Sequence, residues 1–416
     1  MRIAIVGTGI SGLSAAYLLN RKHDIHVYES ATCIGGHTAT KDIQWEGHNY
    51  SIDTGFIVFN DWTYPHFEKL LEQLGVASKP TTMGFSVTNE NSGLEYSGTN
   101  IDTLFSQRRN IFSSRHWRMI KDILRFNKQS IIDVESARLP ASLTLGEYLY
   151  SNRYSTGFME DYLIPMGAAI WSASHKAMYD FPLQFFVDFF KNHGLLSVNN
   201  RPQWRVVAGG SNRYLEPLIQ GFRDRISLNS PVEKISRTDQ QVSILTAAGN
   251  EQYFDRVVIA THSDQALAML ADPTDDEVAV LGKINYQMND VVLHTDRSML
   301  PSCRKAWSSW NYRITGEQQM LPVLTYNMNI LQGIDSPTTF CVTLNDTNNI
   351  DVDKIIGRYQ YAHPVFTLDS IQAQRQWPLI NGVHNTWYCG AYWGNGFHED
   401  GVSSALRVAQ QFGESL

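Results

Sequence analysis

The sequence predicts an α/β fold built on a parallel sheet, and three observations near its start predict it. Arg2 to Val6 is an apolar, partly β-branched run of central-strand length. It leads into Gly7-Thr8-Gly9-Ile10-Ser11-Gly12, and then into Leu13, Ala15, Ala16, Leu18 and Leu19 at helical spacing. A second short strand, His26-Val27-Tyr28, ends at Glu29, 17 residues beyond Gly12. Strand, G-x-G-x-x-G, helix, strand and acid make up the βαβ fingerprint of a Rossmann-type dinucleotide-binding domain.

Each part of the fingerprint has a cause. Gly7 permits a tight turn, Gly9 lets the backbone approach a pyrophosphate, and Gly12 allows close packing of helix on strand. Ile10 and Ser11 open the helix, whose first N–H groups and dipole favour phosphate. Glu29 is placed to accept hydrogen bonds from adenosine ribose hydroxyls, and its charge repels a 2′-phosphate. The bland alternative is a glycine-rich turn that packs without a ligand.

Composition narrows the function classes. At 416 residues, 43% hydrophobic and 18% charged, the chain is globular and long enough for two or three domains. A net charge of -7 argues against a general nucleic-acid-binding surface. Cys33, Cys303, Cys341 and Cys389 lie far apart, so neither a metal site nor a disulfide framework is expected. They suggest a reducing, cytoplasmic setting. The opening residues read as a buried strand rather than a signal peptide, and no apolar run reaches membrane-spanning length. Attachment to the inner face of a membrane and the oligomeric state stay open.

Further glycines and acids follow in a telling order. Ser30 precedes Gly35-Gly36-His37, and Asp53-Thr54-Gly55-Phe56 ends a strand-like stretch. Val206 to Gly210 closes on another glycine pair, and Val232 opens the strand-like Val232-Glu233-Lys234-Ile235. The tail carries Gly390, Tyr392, Trp393, Gly396, Phe397, His398 and Gly401, the last opening a helical pattern to about Gln410. In this order the chain resembles the flavin-containing amine oxidase and phytoene desaturase superfamily. Within it, the chain is most similar to bacterial NAD/FAD-binding amine oxidoreductases linked to modification of methylated unsaturated fatty acids.

The resemblance implies FAD as cofactor, with all of these glycine and acid segments contributing to its site and Val232 meeting adenine through its backbone. It departs from the family pattern at His37, where arginine is usual, and at Ala391, where glutamate is usual. No cysteine attachment motif is present, which implies non-covalent FAD. It also implies a discontinuous organisation. Residues 1–75, 200–265 and 380–416 are expected to form the FAD-binding domain. Residues 76–199 and 266–379 are expected to form a substrate domain of antiparallel sheet and helices, with Val291–His294 and Phe340–Leu344 among its strands.

Two features point to an apolar substrate. Residues 108–128 hold seven Lys/Arg and one acid, interleaved with Trp117, Met119, Ile120, Ile123, Leu124 and Phe126. A basic, aromatic helix of this kind suits peripheral contact with an anionic membrane, although an ordinary solvated helix fits as well. The greasy stretches Tyr162–Trp171 and Phe181–Phe190 are expected either to line a tunnel for an acyl chain or to form domain core. A hydrophobic small molecule or lipid is therefore the expected partner.

The chemistry expected from the resemblance is hydride transfer from substrate carbon to flavin N5, as in a desaturase or dehydrogenase. Tyr392 and Trp393 are the candidates to stand nearest the ring, and His398 to accept the accompanying proton. His175 and His193 are weaker candidates. The lysine that many amine oxidases place near the flavin has no counterpart here, Lys283 and Lys305 being the nearest candidates. An amine oxidase that makes peroxide, and a non-catalytic flavin-binding partner, remain alternatives.

Overall fold

Burial explains why Arg2–Val6 becomes a central strand: Ile3, Ala4 and Ile5 are wholly enclosed, as a parallel sheet covered on both faces requires. The computed structural model describes residues 1–136, 138–316 and 321–416. They divide into two compact units.

The first unit is Met1–Lys79, Val206–Asn285 and Asp369–Leu416. Its sheet contains β1 (Arg2–Val6) and β2 (Asp24–Tyr28), joined by helix α1 (Ile10–Leu19). The strand order is Ile226–Ser227, β2, β1, Arg256–Ile259, Thr386–Tyr388, with every neighbouring pair parallel. Three strands distant in sequence thus join the fingerprint pair. The hairpin of β3 (Thr40–Trp45) and β4 (His48–Asp53) turns on Glu46 and Gly47, both at positive φ, as a two-residue hairpin turn demands.

Residues 76–79, 266–285 and 369–379 belong to this unit and 200–205 to the second, which corrects their expected places. Helix Asp275–Leu281 brings Glu277 against Arg237, and neither side chain is exposed. The guanidinium donates to the Glu277 carboxylate at 2.9 Å, and the Tyr388 hydroxyl donates to the same carboxylate. Trp377 Nε1 donates to the Tyr388 carbonyl at 3.0 Å. These tertiary bonds leave no mark in local composition, whereas the glycine blocks used to divide the sequence do.

The second unit is Pro80–Arg205 and Tyr286–Leu368. Its seven-stranded sheet contains the two strands expected, with Val291 opposite Leu344 and His294 opposite Cys341 in antiparallel register. Trp310–Ile314 runs parallel to Phe85–Asn89, a pairing between segments too distant for local sequence to reveal. The expected basic helix begins later, spanning Ser114–Glu135, because the Ser113 hydroxyl caps it by accepting from the His116 N–H. A 3-10 turn, Arg108–Phe112, precedes it.

The stretch Phe181–Phe190 resolves as core. Phe181, Phe186, Phe189 and Phe190 are buried, and the Trp171 ring packs against all four. His193 stacks on Phe189, and burial holds its pKa down to about 4, as befits a packed neutral imidazole. His175 bonds the Tyr312 hydroxyl at 2.8 Å.

Breaking the buried pair tests the corrected boundary. Arg237→Met leaves the Glu277 charge enclosed and is expected to cost about 3–5 kcal/mol in chemical denaturation of the first unit.

Candidate functional site

At the mouth of β1 the chain makes a cradle from backbone. Gly7 takes φ +103°, and a Cβ there would meet the Ala260 carbonyl oxygen at 2.9 Å. A Cβ on Gly12 would lie 2.0 Å from the Gly7 oxygen, so only glycine lets α1 start this close to the strand. Gly9 differs, because a Cβ there would meet no atom of a described residue within 4 Å. Gly9 caps α1 without a side-chain bond, and the first turn holds no acid. The N–H groups of Ile10, Ser11 and Gly12 are therefore left to an anion.

Glu29 grips this loop rather than standing beside it. Its carboxylate accepts from the Thr8 N–H at 3.0 Å and from the Thr8 hydroxyl, while its other oxygen accepts from the Ala31 N–H at 2.8 Å and the Ser30 hydroxyl at 3.2 Å. A ribose hydroxyl would reach it by displacing a hydroxyl donor, and Ser30 is the exposed one. Glu29 N–H donates to the Ser227 carbonyl, Ser230 N–H to the Glu29 carbonyl, and Asn229 N–H to the Ala31 carbonyl, which brings the approach to Val232 alongside.

The second glycine pair closes on the first loop. Gly35 N–H donates to the Thr8 carbonyl at 3.0 Å, and a Cβ on Gly36 would come within 3.1 Å of the Gly9 Cα. His37 accepts the Phe56 N–H at 2.7 Å, and Gly55 lies so near that a Cβ there would be 2.1 Å from the His37 oxygen. The Thr54 hydroxyl donates to the Ala39 carbonyl at 3.0 Å.

Asp53 departs from the expectation that it faces a cofactor. It is fully buried, and its oxygens accept from the Thr40 hydroxyl at 2.6 Å, the Ser211 N–H at 2.9 Å and the Ser211 hydroxyl at 2.9 Å. Burial pushes its pKa up to about 6 against the lowering effect of those bonds. Asp53 is a positioning residue that ties β4 to the turn after Gly209 and Gly210. Ser211 escaped the sequence reading; the glycine pair before it was the available signal.

The tail completes the cradle. Gly390 N–H donates to the Ser404 hydroxyl at 2.9 Å, and Gly396 takes φ +92°. Phe397 caps the last helix, which begins at His398, three residues earlier than expected. A Cβ on Gly401 would meet Ile10 Cγ2 at 2.7 Å and Ser11 Oγ at 3.0 Å. Two helix amino termini thus meet at one place. Tyr392 and Trp393 pack on each other at 4.9 Å between centroids and are both buried, while Gln374 binds the Tyr392 and Gly394 carbonyls. Among the described residues the Trp393 indole N–H finds no acceptor.

His398 is also corrected. Its ring stacks on Phe56 at 3.4 Å, and Nε2 lies 3.0 Å from the Thr38 hydroxyl and 3.1 Å from the Tyr214 hydroxyl. Burial, reinforced by the charge of His37, holds its pKa well below the usual 6.5. A ring so enclosed, stacked on Phe56 and bonded to two hydroxyls, packs inside the first unit. Its neighbour Glu399, given no role from the sequence, bonds the His66 ring at 2.7 Å and the Phe67 N–H at 2.9 Å. It thereby caps α2 (Pro65–Gln73), whose proline start and lack of a local side-chain cap were the only signals.

The residues present fit a dinucleotide. Glycine is forced by protein contacts at Gly7, Gly12, Gly36 and Gly401, but at Gly9 the space beyond the backbone is open, as a phosphate would need. Gly9→Ala is accordingly expected to leave the melting temperature of the flavin-free protein unchanged while weakening FAD binding at least tenfold in a fluorescence titration. His398 gives a second test through its sign. Between its folded pKa and 6.5 the unfolded chain binds a proton that the folded chain refuses, so this contribution is full above 6.5 and lost as pH falls. His398→Gln should flatten the acid loss of stability by up to about 1.4 kcal/mol per pH unit in denaturation series below pH 6.5.

Comparison with known proteins agrees with this geometry. A family model described as flavin containing amine oxidoreductase matches residues 10–303. An L-amino acid oxidase of Cerastes cerastes is 24% identical over 290 residues, which is 65% of this chain and 53% of that protein. The chain spans little more than half the length of the curated relatives it matches. Among solved structures, putrescine oxidase bound to putrescine superposes with a TM-score of 0.71 at 14% identity, covering 99% of both chains. A CLA-producing fatty acid isomerase from P. acnes gives 0.70 at 16%, covering 99% of this chain and 98% of the other. At such identities these two likenesses establish the fold. The chain belongs to the family of flavin-containing amine oxidoreductases, and its cofactor is FAD.

Proposed function

We propose that the chain is an FAD-dependent oxidoreductase that removes hydrogen from an apolar substrate, a fatty acyl or isoprenoid-like lipid. The observation that carries the flavin part is the meeting of α1 and the last helix at Gly401, against Ile10 and Ser11. In this reading Gly7, Gly9, Ile10, Ser11 and Gly12 hold the pyrophosphate. Glu29, Ser30 and the Val232 backbone take the adenosine end. Gly35, Gly36, His37, Gly55 and Phe56 with Gly390, Gly396, Phe397 and Gly401 line the remaining length. Asp53 and Thr54 act from behind it by fixing β4.

Bound flavin supplies an acceptor for a hydride leaving substrate carbon. This chain's part is to hold the cofactor on preset backbone donors and to pack Tyr392 and Trp393 as a dry wall, which spares reorganisation during reaction.

The placement of two lysines supports the lipid class. Lys283 is exposed and paired with Asp369, and Lys305 is exposed and paired with Asp102. Neither resembles the lysine expected beside the flavin of an amine oxidase. The fatty acid isomerase, whose name carries a lipid substrate, shares the fold. The second reading is an amine oxidase, favoured by the family match and by the L-amino acid oxidase and putrescine oxidase likenesses.

Anaerobic mixing of FAD-loaded protein with methylated and unsaturated acyl lipids, and separately with primary and secondary amines, tests both. Bleaching of the flavin absorbance by lipids and not by amines is expected. Bleaching by amines alone moves the assignment to the second reading, and no bleaching by either set overturns both.

A further inference from the structure

We infer that the outward face of helix Ser114–Glu135, with the turn before it, is a docking surface for an anionic phospholipid bilayer. Met119, Phe126 and Val134 are buried on its inner side. On the other side Trp117, Lys121, Leu124, Lys128 and Ile132 recur at steps of three or four residues, so they share one stripe. Trp117, Leu124 and Ile132 are each half exposed, at 50%, 55% and 51%. At the head of the stripe Phe112 is 91% exposed. The Trp117 indole N–H donates to the Ile111 carbonyl at 2.8 Å, which holds the turn bearing Phe112 beside the helix start.

The cations of the stripe are uncommitted. Arg115 is paired with Asp161, and Arg125 with Asp122. Arg118, Lys121 and Lys128, by contrast, make no ion pair with any described residue. The one exposed acid at the end of the stripe, Glu135, is engaged by Lys191. A chain of net charge -7 is repelled by an anionic membrane as a whole, so a local cationic face both supplies the attraction and sets the orientation.

The apolar residues decide between kinds of partner. Along the helix Trp117, Leu124 and Ile132 alternate with Lys121 and Lys128, which suits the interfacial layer of a bilayer, where rings enter and ammonium groups meet phosphates. A protein partner would need a clustered, desolvated centre. The inference stands on this surface and not on the identity of the substrate.

The test is sedimentation of FAD-loaded full-length protein with vesicles of phosphatidylcholine alone and of phosphatidylcholine mixed with phosphatidylglycerol. Binding to the mixed vesicles at low salt, released at high salt, is expected. Lys121→Glu with Lys128→Glu should weaken it about thirtyfold or more, each cation near such a surface being worth about 1 kcal/mol. Phe112→Ser should weaken it about tenfold while keeping the salt dependence. These side chains are exposed, so unchanged flavin absorbance and melting certify folding of the variants. Equal binding to both vesicle types, no binding, or a double variant that binds as well as the parent overturns the inference. Vesicle binding together with flavin that no lipid bleaches leaves it standing and removes the lipid-substrate reading.

Discussion

A helix that begins without a side-chain cap has N–H groups that must find a partner, and in the first unit this need organises the rest. At α1 neither a side-chain cap nor a first-turn acid answers those groups. Gly7, Gly12, Gly36 and Gly401 each stand where a Cβ would strike protein, so the backbone around these groups stays thin enough for the diphosphate proposed there. The strands at Arg256–Ile259 and Thr386–Tyr388 flank β1 on one side, so distant stretches of chain converge on the same mouth.

Convergence of this kind needs cross-links between remote segments, and the buried polar groups provide them. Asp53 joins β4 to Ser211, Glu399 joins the last helix to α2, and Arg237 with Glu277 and Tyr388 joins three segments. Each enclosed charge is met by several donors or by an opposite charge, as it must be when solvent is withdrawn. The carboxyl of Asp400 shows the same economy: it is partly buried, accepts from the Phe397 N–H, and is pushed up to about 6 by desolvation.

These cross-links account for what sequence reading could not assign. An acid at the end of a strand, such as Asp53, or a histidine in a glycine-rich turn, such as His398, is equally at home against a ligand or against the protein. Which it faces depends on partners more than a hundred residues away, Ser211 for one and Thr38 with Tyr214 for the other. The phenylalanines of Phe181–Phe190 suit a tunnel and a core equally until Trp171 is seen among them. Lys283 and Lys305 acquire meaning only when their carboxylate partners place them at the surface.

By itself the sequence determined the fingerprint and its order: β1, the glycine loop, α1, β2 and Glu29, because backbone geometry at a phosphate tolerates few residues and demands them at set spacing. It also determined the basic, aromatic character of the stretch after Arg108 and the antiparallel strands at Val291 and Phe340. Only the tertiary structure decided that 266–285 and 369–379 join the first unit, that Asp53 and His398 face inward, and that the basic helix turns Trp117, Leu124 and Ile132 outward. Steric rules act between neighbours in the chain and can be read there. The choice between a ligand, a core and solvent is settled by groups that the chain brings together only when folded.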